Sequence, residues 1–179
     1  MAFVASCSGE ARVAELAPWV EGAKPLFSLE SLAGDRIALA ERNDRVVLVH
    51  FFATWCEPCR AEISGLQRLA GRFTRRQLTI LAVDVGEVDP RVRRFFETMP
   101  VSFPILLDRD KAVAKAWQVS TLPTTFVLDR TLVPRFVAEG DFDWDQPDTG
   151  GKLNLFAGTE AAGGESPRTN PASSPGRIQ

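Results

Sequence analysis

Val46-Val47-Leu48-Val49-His50-Phe51-Phe52-Ala53-Thr54-Trp55-Cys56-Glu57-Pro58-Cys59 runs from an apolar stretch straight into a C-x-x-C pair. The run from Val46 to Phe52 shows no polar alternation, so it reads as a strand buried on both faces. Downstream, Ile63, Leu66, Ala70 and Phe73 recur at helical spacing. The cysteines therefore stand at a strand-to-helix junction. Pro58 is read as the first helical position, where its missing N–H would have had no partner anyway. Two thiols at this spacing can close a small disulfide ring, and the first lies where free N–H groups and the helix dipole favour a thiolate. A zinc half-site or two structural thiols are the plainer readings. Zinc needs four ligands, and Cys7 and His50 are the only other cysteine and histidine in the chain. His50 lies inside the apolar strand, so the junction selects a dithiol that makes and breaks disulfides.

Working outward, the helix runs from Pro58 to about Phe73, with Gly65 weakening it by about 1 kcal/mol relative to alanine. Leu78 to Val85 is a second apolar strand, expected parallel to the first through a right-handed crossover. Asp89 and Pro90 mark a second helix, as N-cap and first position, burying Val92, Phe95, Phe96 and Met99. Ile105 to Leu107 is a short strand and Lys111 to Trp117 a short helix. Thr124 to Leu128 and Leu132 to Ala138 pair across Asp129-Arg130-Thr131. Upstream, Pro25 to Leu29 and Ile37 to Leu39 flank Gly34-Asp35 as a hairpin.

A chain of 179 residues holds one domain with a normal core and some tail. Its 21 basic and 23 acidic residues give no overall bias toward nucleic acid or an anionic membrane, and no apolar run is long enough to span a bilayer. Three cysteines are too few for a disulfide scaffold. The arginines at 72–76 and 91–94 read as solvated helix faces. Asp141, Asp143, Asp145 and Asp148 form an acidic loop that lacks the closing glutamate of a calcium loop. Asp148-Thr149-Gly150-Gly151 is expected to break any helix, and small and polar residues dominate beyond Ala157. The expected division is a leader at 1–24, a domain at 25–148 and a disordered tail at 149–179. Within the leader, Val4-Ala5-Ser6-Cys7 resembles a bacterial lipobox, making Cys7 a candidate for lipidation. An incidental thiol in a frayed N-terminus is the plainer reading.

Residues 47–62, together with Thr121-Leu122-Pro123-Thr124-Thr125-Phe126 and the extra helix between Val85 and Pro104, resemble the thioredoxin-like superfamily. Within it they are most similar to the TlpA/ResA-type thiol-disulfide oxidoreductases, over about Pro25 to Trp144. The resemblance implies an α/β thioredoxin fold: a central mixed β-sheet flanked by helices, with an N-terminal hairpin and an inserted helix. It also implies that Cys56 is the exposed nucleophile, Cys59 the buried resolving thiol and Pro123 a cis-proline beside their disulfide. A cis bond before proline costs only about 0.5–1 kcal/mol; a trans proline opening an edge strand is the alternative. Glu57 and Glu62 would disfavour a second negative charge near the thiols, although Glu57 also fits a simple helix-start preference for acids. Trp55 would shield the disulfide and meet partners, or else be a core residue.

Two departures stand out. His50 occupies a strand position where thioredoxins carry a buried Asp; a hydrogen-bonded structural histidine is the simpler reading, a proton relay for Cys59 the sharper one. Gly140-Asp141-Phe142-Asp143-Trp144 fits the entry to a C-terminal helix that the following glycines should abort. The implied activity is dithiol-disulfide exchange through Cys56 and Cys59 by an extracytoplasmic reductant, periplasmic or membrane-anchored, with cytochrome c maturation one setting for it. Disulfide-bearing proteins would be the substrates and a membrane thiol-disulfide transporter the electron donor. A monomer is expected, with no external cofactor, no metal and no nucleic acid. A copper-handling thioredoxin-like binding protein would normally space its cysteines by three residues and use a distant histidine. A peroxiredoxin-type antioxidant enzyme would need a lone peroxidatic cysteine in a Pro/Thr-rich loop.

Overall fold

The computed structural model describes residues 14–157. Strand β4 (Val46–Phe52) is fully buried and holds the middle of a six-stranded sheet ordered β1-β8-β7-β4-β5-β6. On one side it pairs in parallel with β5 (Leu78–Val85), which pairs in parallel with β6 (Ile105–Asp108). On the other it pairs antiparallel with β7 (Thr124–Leu128), which continues antiparallel to β8 (Pro134–Glu139). Helix α1 (Glu57–Ala70) links β4 to β5, α2 (Asp89–Thr98) links β5 to β6, and α3 (Ala112–Ala116) precedes β7. The expected hairpin forms from β2 (Ser28–Glu30) and β3 (Arg36–Ala38).

Burial on both faces explains the apolar run. Val46, Leu48 and Phe52 enter one core layer, with Ile63, Leu66 and Leu69 of α1. Val47, Val49 and Phe51 enter the other, with Leu81, Val83, Leu106 and Trp117. Asp89 is the first residue of α2 rather than its cap, which is Val88. Likewise Pro58 is second in α1, because Cys56 is the cap and Glu57 opens the helix.

The ends of the domain differ from the expected 25–148. Ala17–Pro18 forms β1 on the edge of β8, Leu16 is buried, and the Trp19 ring stands edge-on to Phe126 at 5.3 Å. At the other end Pro147–Ala157 is a helix, α4, despite Gly150 and Gly151. Thr149, Leu153 and Ala157 recur every four residues and are buried as one face, and Phe156 meets Phe136 at 5.8 Å. The glycines cost about 1 kcal/mol each, but tertiary burial of that face offsets the penalty. Residues 149–157 therefore belong to the fold. Cys7 and the chain beyond Ala157 lie outside the described residues.

Candidate active site

Where β4 ends, the chain turns through Ala53, Thr54 and Trp55 and starts α1 at the dithiol. Cys56 is in the extended region, caps the helix, and its Sγ accepts the Cys59 N–H at 3.3 Å. The two sulfurs are joined in a disulfide, with the Cα atoms 5.3 Å apart. Cys56 keeps 6% of its surface, so it is more covered than the exposed nucleophile expected, while Cys59 is sealed at 0%. An incoming sulfur can therefore reach only the first cysteine. The cap position also favours a Cys56 thiolate, because the free N–H groups of the first turn surround it. Trp55 beside it is 66% exposed, which rules out the core reading.

The two acids around the dithiol prove unlike. The Glu57 carboxylate is in solvent and accepts weakly from Arg60 at 3.4 Å. The Glu62 carboxyl is buried on the inner face of α1; it accepts the Phe142 N–H at 2.5 Å and the Trp144 indole N–H at 3.0 Å. Burial raises its pKa to about 7, even though those two hydrogen bonds favour the ionised form. The oxygen that accepts from Trp144 also faces His50, whose Nδ1 lies 3.6 Å away. His50 is fully buried, with Nδ1 2.8 Å from the Thr125 hydroxyl and its ring stacked on Phe52. Burial holds its pKa down at about 3, so near neutral pH the imidazole is uncharged and the Glu62 contact is not an ion pair. Its Nε2 has no hydrogen-bond partner among the described residues.

Register explains the meeting of His50 and Thr125: they are directly opposed across the β4–β7 ladder, so their side chains emerge on the same face. Two residues before Thr125, the Leu122–Pro123 bond is cis, as the resemblance implied. The Pro123 carbonyl accepts the Gly140 N–H at 2.8 Å, tying this loop to the segment that carries Phe142 and Trp144. Leu122 and Trp144 both pack into the core layer that contains Cys56 and Cys59.

A second group of polar contacts was not foreseen. Glu87, just after β5, accepts both the Thr54 N–H, at 2.5 Å, and the Thr54 hydroxyl, at 2.8 Å. It thereby clamps the turn leading to Trp55 and Cys56 with two hydrogen bonds. Asp84 lies below it, accepting the Glu87 N–H at 3.1 Å, and its second oxygen has no partner among the described residues. Burial first, and then the neighbouring Glu87 carboxyl, push the Asp84 pKa upward, so Asp84 carries a proton near neutral pH. The signal available in the sequence was an acid inside the apolar run of β5, opposite Phe52 in the ladder. The acidic loop has a structural use: Asp145 binds Arg68 and Arg72 of the α1 region.

Residues 20–135 match the AhpC/TSA family. The thiol-disulfide oxidoreductase ResA of Bacillus subtilis is 39% identical over 105 residues, which cover 59% of this chain and 59% of ResA. The thioredoxin-like protein YneN of the same organism is 35% identical over 108 residues, covering 59% of this chain and 62% of YneN. The matched stretch thus spans about three-fifths of these relatives. Among solved structures, a thioredoxin-family thiol:disulfide interchange protein from Chlorobium tepidum superposes with a TM-score of 0.67 at 24% identity, covering 84% of this chain and 100% of that one. StoA from Bacillus subtilis gives a TM-score of 0.61 at 21% identity, covering 69% and 94%. The fold is thioredoxin-like, and the chain belongs to the AhpC/TSA family.

Proposed function

We propose that this member of the AhpC/TSA family is a thiol-disulfide oxidoreductase that reduces disulfides in other proteins. The observation that carries the reading is the disulfide at the start of α1, with a partly accessible Cys56 as helix cap and a sealed Cys59. In the reduced protein the Cys56 thiolate attacks one sulfur of a substrate disulfide, forming a mixed disulfide and releasing the other sulfur as a thiolate. Cys59 gives up its proton and attacks Cys56 Sγ. The mixed disulfide breaks, the substrate leaves with two thiols, and Cys56–Cys59 is oxidised by two electrons. A dithiol donor then reverses that oxidation. A membrane thiol-disulfide transporter is the donor class we favour, since the substrates, including apocytochrome c as one case, carry disulfides where the compartment is oxidising.

Glu62 supports the reductant direction. A buried carboxyl with a pKa near 7 adds negative charge on the inner face of α1, which disfavours a second anion there. That opposes thiolate formation and favours the disulfide form. The potential should lie nearer the thioredoxin end, about −270 mV, than the strongly oxidising end near −120 mV. The peroxidase alternative needs a lone peroxidatic cysteine, whereas here the accessible sulfur is joined to its neighbour. The copper alternative needs an available histidine, but His50 is sealed with Nδ1 engaged by Thr125.

Cysteine variants test the assignment. Cys59→Ser should accumulate mixed disulfides with substrate proteins on non-reducing gels, because nothing resolves them, whereas Cys56→Ser should be inert. Equal trapping by both variants would overturn the division of labour. Peroxide consumption with a thiol donor, without reduction of protein disulfides, would overturn the activity.

A further inference from the structure

Beside Trp55, the turn and α2 enclose an open groove of about 600 Å³ whose walls include Thr54, Trp55, Arg91, Arg94 and Phe95. We propose that this groove binds acidic, partly apolar segments flanking the disulfide of a protein substrate. The proposal rests on the exchange reading above and specifies which substrates that chemistry selects.

The first argument is position. Trp55 adjoins Cys56, so a substrate chain with a sulfur on Cys56 must run across the surface around Trp55 within a few residues, each advancing about 3.3 Å when extended. Trp55 is 66% exposed. With Phe95 it offers the apolar anchor typical of contact surfaces.

The second argument is charge. Arg91, Arg94 and Phe95 share one face of α2, as the helical repeat requires, and no exposed carboxylate lines the groove. Arg91 comes within 3.7 Å of Glu87, but Glu87 is buried and already accepts two hydrogen bonds from Thr54, while Arg91 is 62% exposed. Arg94 has no carboxylate within ion-pair distance among the described residues. Of the nearby acids, Asp89 is held by two hydrogen bonds from Arg109, and Glu57, exposed and outside the groove's lining, is only loosely met by Arg60, whose guanidinium lies over the Phe95 ring at 5.8 Å. A chain of net charge −2 thus presents a positive, apolar-floored surface beside its reactive sulfur.

The test uses three peptides with one common intramolecular disulfide and flanks of Asp/Glu, Gln or Lys, plus neutral 2-hydroxyethyl disulfide. Wild-type protein should show kcat/KM about tenfold higher for the acidic peptide than for the lysine peptide at low salt, the scale expected of two exposed charge pairs. The ratio should shrink in 0.5 M salt, where the Debye length is only a few ångströms. Arg94→Glu should abolish or reverse it, mainly through KM, with a melting temperature near wild type because Arg94 is exposed. Equal rates on all three peptides, or a preference that survives both salt and Arg94→Glu, overturn the groove while leaving the exchange reading intact. Failure to reduce any peptide or 2-hydroxyethyl disulfide overturns both.

Discussion

On one face of β4, Val47, Val49 and Phe51 press against Leu81, Val83, Leu106 and Trp117, all apolar. On the other, Leu48 and Phe52 flank His50, Asp84 of β5 emerges one strand away, and α1 brings Glu62 down onto them. Both faces are equally dry, so burial alone does not separate them. They differ in what covers them. The hairpin, α3 and the Trp117 ring bring hydrocarbon to the first face, and a buried acid on that side, Asp108, accepts from the N–H groups of Val113 and Ala114. Helix α1, the Phe142–Trp144 segment and Thr125 bring donors and acceptors to the second. A polar group in a core is costly unless paired. The second face keeps His50, Glu62 and Asp84 mostly paired and uncharged or near their titration points, and it is also the face on which both cysteines lie.

The hardest test of this division is on the apolar side. Phe51→Ala removes a fully buried ring that meets Trp117 at 5.6 Å and Phe126 at 6.3 Å. It should cost about 3–5 kcal/mol in urea unfolding while leaving the potential of the Cys56–Cys59 pair unmoved. A shifted potential would show that the two faces are coupled.

On the polar side the signature is pH. Glu62 has a folded pKa near 7 against 4.5 unfolded. The folded state therefore keeps its proton when the unfolded state has lost it, and stability falls as pH rises from 4.5 to about 7, by about 3 kcal/mol at most. His50 runs the other way. Its folded pKa is near 3 against 6.5 unfolded, so the unfolded state binds the extra proton and stability is lost as pH falls below 6.5. Between 4.5 and 6.5 the two slopes oppose each other in the wild type. His50→Asn should expose the decline with rising pH and Glu62→Gln the decline with falling pH. Parallel pH–stability curves for all three proteins would refute the pairing.

A smaller effect is expected where the polar face meets the redox turn. Glu87→Gln keeps one acceptor oxygen for Thr54 but replaces the other with an amide NH2 group, which cannot accept. It should cost about 1–3 kcal/mol and change Trp55 emission, and Thr54→Val should make part of that loss redundant. Additive losses in the double variant would mean that Glu87 does not act through Thr54. The smallest effect belongs to Glu57. Exposed and only loosely met by Arg60, it should shift stability by under about 0.5 kcal/mol on replacement with Gln. Its effect on the redox potential should be well below that of Glu62→Gln, which should raise it. Equal shifts from both replacements would return Glu57 to the tuning role that its place between the cysteines suggested.

Local signals carried most of the architecture. The apolar runs of β4 and β5, the helical spacing after Cys59, the turn residues of the hairpin and the Cys-x-x-Cys junction are each written in adjacent residues, and they mark the element order and the reactive pair. The misread places, β1 and α4, are short or glycine-containing segments whose intrinsic preference is weak. Leu16, Leu153 and Ala157 gain stability only from a sheet and helices assembled by distant parts of the chain. The same holds for the site. Cys56, Cys59 and Pro58 are neighbours along the backbone, so their chemistry was legible in order. Glu62 meets Trp144, His50 meets Thr125 and Thr54 meets Glu87 across separations of 82, 75 and 33 residues. Which face of a uniformly buried strand His50 takes, and what lies opposite, depends on ladder register and helix placement. Those contacts exist only after the chain has paid the entropy of closing its long loops, so the tertiary structure alone decided which titratable groups surround the dithiol.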